Sequence, residues 1–238
     1  MSDGAHRGPH PEDGALFAPA RWPALREAAA DLAWLLGRGY TMKASVALVG
    51  DHRQLAQRHR LALMRAVCSD QSLAGRRARE LRPTEVAGRE LVIDGFNLIM
   101  TVEAALAGGT LLLGRDGTIR NLAPLHGSYR PVAETPRAIA LIGARLGALA
   151  PAHALWLLDQ PVSNSGRLKA TLSEAAEVGA WPWTIALEPH VDGELRRSPR
   201  VVVSSDAIVL DGCGPWLNLA RAIIDDLPAA RPIDAFGA

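Results

Sequence analysis

The most constraining feature of the sequence is the alternation of short apolar runs with amphipathic segments between about residues 88 and 228. The apolar runs are short enough to be buried strands, and they read "LVIDGFNLI", "HALWLLD", "WTIALEP" and "VVVSSDAIVLD". Helical patterns lie between or after them, as in "ETPRAIALIGARLGAL", "SNSGRLKATLSEAAEV" and "PWLNLARAIIDDL". Strands that alternate with helices predict an α/β fold with a largely parallel sheet covered on both faces.

A different pattern precedes this region. From Trp22 to about Arg82, apolar residues recur at three- and four-residue spacing, which predicts a small all-helical unit. Residues 1 to about 18 offer too little apolar surface to offset the entropy of ordering. We therefore divide the chain into a disordered tail (1–18), a basic helical module (19–85) and an α/β domain (86–238). Within the last, "TLLLGRDGTIRNL" predicts a hairpin that turns at Asp116 and Gly117.

Net charge, cysteine content and the length of apolar stretches limit the compartment and the partners that we expect for the chain. The formal net charge of the 238 residues is +1, so any attraction to a polyanion has to be local. The two cysteines, Cys68 and Cys213, are far apart in sequence and support neither a disulfide framework nor a thiolate zinc site. No apolar stretch resembles a signal peptide or a membrane span. We expect a cytoplasmic protein without membrane contact, and leave open whether it forms a homodimer.

Positive charge is concentrated in the helical module. Between Arg38 and Arg82 there are ten lysines and arginines against three acids. Such a surplus is able to face a phosphate backbone, and RNA, single-stranded or structured, is the partner we expect. A solvated helix face explains the same charges equally well, because no aromatic base-stacking platform is interleaved with them.

Acidic residues fall where the predicted strands end. Asp94 follows "LVI", Asp159 follows "ALWLL", Asp206 follows "VVVSS", and Asp192 lies in "HVDGEL" before the last strand. Ligands of parallel sheets gather at the carboxyl ends of strands, so these four carboxylates are expected to converge. Two like charges about 4 Å apart repel by about 4 kcal/mol at an effective dielectric near 20, so protons or a metal must compensate.

Oxygen ligands without nearby Cys or His suit Mg²⁺ or Mn²⁺, and such ions commonly act on phosphate esters. The predicted metal ligands are Asp94, Asp159, Asp192 and Asp206, and Asn97 would position a ligand or water. Serine hydroxyls near strand ends are candidates for binding phosphate oxygens, namely Ser163, Ser165 and Ser204. Further phosphate contacts are expected from a polar loop that is equally consistent with simple solvent exposure: Arg115, Arg120, His126 and Arg130.

Each acid also has an ordinary structural explanation. Asp94-Gly95, Asp192-Gly193 and Asp211-Gly212 are Asp-Gly pairs, the common chemistry of turns. Asp159 precedes Gln160 and Pro161 and is also explained as a strand end, while Ser163 is explained as a helix cap. The placement of several acids at strand ends of one sheet favours a site over separate turns.

The segments "VIDGFNLIM", "VDGEL" and "VVVSSDAIVLD" together resemble the NYN branch of the PIN-like nucleases. In that family a hydrophobic strand ends in Asp-Gly-x-Asn, a Val-Asp lies in a helix, and a later strand ends in Ser-x-Asp. The resemblance implies a PIN-like three-layer fold with a parallel sheet and a metal-dependent endoribonuclease. It selects Asp94, Asn97, Asp192 and Asp206 as catalytic residues, with Asp211 as a further acid at a spacing unlike the family's. The segment around Asp159 has no counterpart in the family pattern.

The segment "GYTMKASVALVGDHRQLAQRHRLALMRAV" is similar to the family called domain of unknown function 434, which supplies no function. The leading hypothesis is therefore a basic helical module joined to a metal-dependent ribonuclease domain. Two alternatives stay open: a non-catalytic RNA- or nucleotide-binding protein of the same fold, and a small-molecule phosphatase or phosphotransferase with Asp159 as nucleophile. A dinucleotide-binding dehydrogenase is disfavoured because no Gly-x-Gly-x-x-Gly turn follows a predicted strand.

Overall fold

The structure, a computed structural model, describes residues 6–122 and 129–237. It is an α/β protein with a six-stranded sheet and a helical region at its N-terminal end. The strands of the sheet are β1 (Glu80–Leu81), β2 (Glu90–Asp94), β5 (His153–Asp159), β6 (Trp183–Glu188), β7 (Val201–Val203) and β8 (Trp216–Leu217). A separate antiparallel hairpin consists of β3 (Leu111–Leu113) and β4 (Ile119–Asn121). The predicted hairpin is thus confirmed, and Gly117 in its turn has a positive φ of 79°.

The helices lie before and between these strands. In chain order, the described residues contain α1 (Asp13–Leu16), α2 (Trp22–Gly37), α3 (Met42–His52), α4 (Gln57–Ala66), α5 (Asp70–Arg77), α6 (Gly95–Leu106), α7 (Thr135–Leu149), α8 (Ser165–Gly179), α9 (Val191–Arg197), α10 (Ala207–Gly212) and α11 (Leu219–Ile224). None of them is both long enough and apolar enough to cross a membrane.

The sheet has the strand order β1-β8-β7-β2-β5-β6, and its strands pair in parallel. Successive side chains of a strand point to opposite faces, and β2 buries both. Leu91 and Ile93 pack with α6, α7, α8 and α11, whereas Val92 packs with α9 and α10. The predicted parallel sheet covered on both faces is confirmed.

Two of the apolar runs contain a strand that is followed closely by a helix. Strand β2 stops at Asp94, and α6 begins at the next residue, because the Asp94 carboxylate accepts a hydrogen bond from the Asn97 N–H. In "VVVSSDAIVLD" the strand stops at Val203 and α10 follows, since the Asp206 carboxylate accepts from the N–H groups of Ile208 and Val209. Both acids therefore cap helices at strand ends, an arrangement that apolar runs alone do not reveal.

The N-terminal residues that the structure describes belong to the fold, and for them the prediction of a disordered tail is wrong. Phe17 is buried in the core of the helical region. The Asp13 carboxylate is buried and paired with Arg58, and it accepts a hydrogen bond from Thr110. Arg7 donates to the fully buried Glu103 at 2.5 Å. These charge pairs and one aromatic side chain supply the stabilisation that the composition of this segment does not indicate.

The helical region is joined to the rest of the fold through apolar packing and through hydrogen bonds of Arg79. The core of the helical region includes Leu112 and Leu122 from the hairpin segment and Phe236 from the C-terminal segment. The Arg79 guanidinium donates to the carbonyl oxygens of Leu210 and Cys213, beside α10. The helical region is thereby fixed next to the carboxyl ends of the strands.

Candidate functional site

A cavity of about 740 Å³ lies at the carboxyl ends of the sheet strands, between the sheet and the helical region. We call it the carboxylate cavity. All four predicted metal ligands line it: Asp94, Asp159, Asp192 and Asp206. Asp94 and Asp159 are the last residues of β2 and β5, Asp206 follows β7, and Asp192 lies in α9 after β6. The parallel sheet therefore brings together acids that are up to 112 residues apart in sequence, because its strands end on one edge.

Asp94 is the most buried of these acids, with 6% of its surface exposed. Its Oδ2 accepts a hydrogen bond of 2.8 Å from the Ser204 hydroxyl, and its Oδ1 accepts from the Asn97 N–H at 3.3 Å. The Ser204 hydroxyl oxygen in turn accepts from the Asp206 N–H at 3.0 Å. One serine thus links the two acids that end β2 and follow β7.

The electrostatics of the cavity disfavour ionised acids. Burial raises the pKa of Asp94 to about 7, and the negative charges of Asp206 and Asp159 add to the rise, against the hydrogen bond from Ser204. Burial and the charge of Asp192 raise the pKa of Asp159. Burial and the charge of Asp206 raise the pKa of Asp192. The four carboxylates therefore repel one another in one space, and a bound cation would relieve that repulsion.

Asn97 lies at the start of α6 and orders the opposite loop. Its side-chain oxygen accepts two hydrogen bonds of 2.9 Å from Ser205, one from the N–H and one from the hydroxyl. Asn97 and Ser205 both line the carboxylate cavity. Asn97 therefore fixes the segment that carries Asp206, which is a positioning role in addition to the ligand-positioning role predicted from sequence.

A largely buried charge network forms one side of the carboxylate cavity. The Asp116 carboxylate pairs with Arg76 at 2.5 Å and with Arg120 at 2.7 Å, and its side chain is fully buried. Arg76 also pairs with Asp211 at 2.8 Å, and Arg120 donates to the Ser205 carbonyl oxygen at 2.7 Å. The network joins helix α5, the hairpin and the Asp206 segment. Sequence analysis missed the role of Asp116, since an Asp-Gly turn gives no sign of buried arginines.

Comparison with known proteins gives the chain a family. Residues 83 to 222, more than half of the chain, match the family described as domain of unknown function DUF5616. The chain belongs to the DUF5616 family. Residues 24 to 79 match DUF434, described as a protein of unknown function, so the sequence resemblance to that family is confirmed. An uncharacterized protein of Methanocaldococcus jannaschii is 26% identical over 186 residues, which cover 78% of this chain and 88% of the relative. No solved structure matches the chain.

The four predicted metal ligands belong to the DUF5616 domain, as does Asp211, which also lines the carboxylate cavity, and the DUF434 segment supplies part of the facing wall. That wall includes Leu36, Met42, Met64, Arg65 and Arg76. The cavity is therefore built from both matched segments of the chain. The helical region therefore forms part of the site, together with the strand ends of the sheet.

The other residues predicted from sequence to contact phosphate are divided between the carboxylate cavity and other parts of the DUF5616 domain. Ser163 and Ser165 lie outside the carboxylate cavity, and Ser165 donates to the Gln160 carbonyl oxygen. Ser204 is at the site, but it binds Asp94 rather than facing the cavity. Arg115 is paired with Asp70 at 2.6 Å, and Arg130 is exposed outside the cavity. Of this group Arg120 lines the cavity, and His126 lies outside the described residues.

Most of the basic residues of the DUF434 segment have structural partners. Arg53 pairs with Glu27 and Asp31, Arg60 pairs with Asp51, and Arg76 is buried with Asp116. Lys43 and Arg77 are exposed to solvent. The charge surplus counted from sequence therefore serves in large part to hold the fold together.

The carboxylate cavity offers oxygen donor atoms, which are the ligands that hard divalent cations prefer. Among the described residues, no three Asp, Glu, His or Cys side chains are close enough to form a metal site by themselves. Mg²⁺ commonly keeps several waters and uses one or two carboxylates together with phosphate oxygens of a substrate. Asp94 and Asp206 are candidates to hold such an ion, and the Ser204 hydroxyl bridges the Asp94 carboxylate and the Asp206 N–H.

The raised pKa of Asp94 predicts a pH-dependent stability in metal-free protein. The folded-state pKa is about 7 against an ordinary value of 3.8, so the unfolded chain releases this proton first as the pH rises. Folding stability is therefore expected to fall by about 2–4 kcal/mol between pH 4 and 7 and then to level off. Urea unfolding in EDTA measures this, with Asp94→Asn as the matched variant. Equal pH slopes for the two proteins would contradict the assignment.

Proposed function

We propose that the chain is a metal-dependent endoribonuclease that hydrolyses RNA phosphodiester bonds in the carboxylate cavity. The observation that carries this proposal is the grouping of Asp94, Asp159, Asp192 and Asp206 around one space at the strand ends. The raised pKa values of Asp94, Asp159 and Asp192, and the repulsion among the carboxylates, are what a site built for Mg²⁺ or Mn²⁺ would have before the ion binds. The proposed fold is PIN-like, in line with the order of the Asp-Gly-x-Asn, Val-Asp and Ser-x-Asp motifs.

The chain's own groups divide the work of such a site. Asp94 and Asp206 would hold the ion, and Asp159 and Asp192 would be available to bind and orient a water through their carboxylates. Asn97 keeps the Asp206 segment in position through Ser205. A bound Mg²⁺ or Mn²⁺ would neutralise charge that develops on the phosphate oxygens. Arg120 and Arg76 line the rear of the cavity, where Asp116 and Asp211 balance their charges.

RNA cleavage tests the proposal directly. Purified full-length protein is expected to cut a labelled single-stranded RNA of about 20 nucleotides with Mn²⁺ or Mg²⁺ present, and cleavage is expected to stop in EDTA. Gel electrophoresis of the products gives the rate and the internal cut positions. Absence of cleavage with either ion across single-stranded and hairpin RNAs would overturn the endoribonuclease.

A second candidate, a non-catalytic RNA- or nucleotide-binding protein of the same fold, is favoured by one observation. Three carboxylates do not converge on a single point among the described residues. Isothermal calorimetry with Mn²⁺ separates the two functions, because the nuclease requires binding of the ion. The expected result for the nuclease is a saturable heat that disappears in the Asp94→Asn, Asp206→Asn double variant. RNA binding without any metal heat would favour the binding protein.

A further inference from the structure

Apolar side chains are exposed inside the carboxylate cavity. Met64, on α4, is 43% exposed, and Ile208, on α10, is 60% exposed. Both line the cavity, together with the partly buried Leu36 and Met42. Exposed apolar side chains that share a concave site with charges commonly contact a ligand.

Each exposed apolar residue stands beside a charged one. Met64 is followed by Arg65, which also lines the cavity and donates a hydrogen bond to the Asn121 carbonyl oxygen. Ile208 lies two residues after Asp206, and its N–H donates to the Asp206 carboxylate at 2.7 Å. The helical region thus contributes a cation and an apolar side chain to the cavity. The segment that follows β7 contributes a carboxylate and an apolar side chain.

A ligand that satisfies this cavity needs an anionic part and a flat apolar part. A nucleotide has both, since its phosphate is anionic and the flat face of its base is weakly polar. We propose that the cavity binds one nucleotide unit of a single RNA strand, with the base against Met64 and Ile208 and the phosphate towards Arg65. The inference rests on the function proposed above. It adds that Met64 and Ile208 contact the base and that Arg65 contacts the phosphate.

The surroundings of Arg65 support an anion at this position. Burial lowers the pKa of Arg65, and the positive charges of Arg58 and Arg120 lower it further. The negative charge of Asp206 acts in the opposite direction. An arginine remains protonated under these conditions, so the positive charge persists in a poorly solvated place. A phosphate oxygen would stabilise that charge by a charge-assisted hydrogen bond. Methionine suits the base-binding role, because its flexible thioether adapts to flat surfaces of different shape.

The test compares a nucleotide with the same molecule lacking its base. Calorimetry in Ca²⁺ buffer measures the binding of adenosine monophosphate and of ribose 5-phosphate to full-length protein. We expect the nucleotide to bind about tenfold more tightly, an advantage that is lost in the Met64→Ala, Ile208→Ala double variant. Leu48→Ala is the matched control, since Leu48 is 60% exposed on α3 and lies outside the cavity. Arg65→Gln is expected to weaken both ligands about tenfold, and Arg65→Lys, which keeps the charge, much less.

The outcomes separate this inference from the nuclease. Equal binding of the two ligands by the unaltered protein, or an advantage of the base that survives in the double variant, would overturn the nucleotide site. So would a short oligoribonucleotide that fails to compete with adenosine monophosphate. Binding as expected without any RNA cleavage would overturn the nuclease and leave the nucleotide site in place. Thermal unfolding of each variant shows that a loss of binding is not a loss of fold.

Discussion

Replacing Asp206 with asparagine is expected to reduce Mn²⁺-dependent RNA cleavage by about 10² to 10³-fold, because a metal-bound carboxylate stabilises the transition state by several kcal/mol. Asp206 lines the carboxylate cavity beside Asp94 and is linked to it through Ser204. Asparagine keeps the shape of the side chain but removes its charge, so the ion would lose a negatively charged ligand. Asp94→Asn is expected to have an effect of the same size.

The fold should survive this change. The Asp206 side chain caps α10 by accepting hydrogen bonds from Ile208 and Val209, and an asparagine oxygen accepts the same bonds. Asp226→Asn is a suitable control, since Asp226 is 70% exposed and pairs with Arg145 far from the cavity. Single-turnover cleavage rates and thermal unfolding are measured on all three variants. Cleavage at the normal rate in both Asp94→Asn and Asp206→Asn would refute the metal-dependent site.

Replacing Asp116 with asparagine is expected to lower the free energy of unfolding by about 3–5 kcal/mol, because two buried arginines lose the carboxylate that lies between them. The Asp116 carboxylate is fully buried between Arg76 and Arg120, and Thr118 donates to it at 2.7 Å. The charges of Arg120 and Arg76 hold the pKa of Asp116 well below its ordinary value, against the effect of burial. Urea unfolding at pH 7 measures the loss.

The sign of the pH dependence provides a second measurement. Because the pKa of Asp116 is lower in the folded state, its contribution to stability is present above the ordinary value of 3.8 and is lost as the pH falls below it. The acid-induced loss of stability is therefore expected to be smaller in Asp116→Asn. Asp51→Asn is the matched control. The Asp51 side chain is 76% exposed, and its ion pair with Arg60 is worth at most about 1 kcal/mol. Similar small effects from both substitutions would show that the buried network is not a major source of stability.

The sequence located the acids of the cavity because of a local rule. Asp94 and Asp159 directly end apolar strands, and parallel strands that end on one edge must bring such residues together. The same rule does not fix where a strand stops. The apolar runs continue past Asp94 and Asp206, but a helix begins after each acid and is capped by its carboxylate.

Sequence alone therefore determined the alternation of strands and helices, the parallel sheet and the edge at which the acids lie. These follow from the periodicity of apolar residues, which each segment carries by itself. Tertiary structure decided what faces those acids. The Arg76–Asp116 pair joins residues 40 apart, and the Asn97–Ser205 bond joins residues 108 apart. Burial and partner choice depend on how whole elements pack, and no local pattern encodes them.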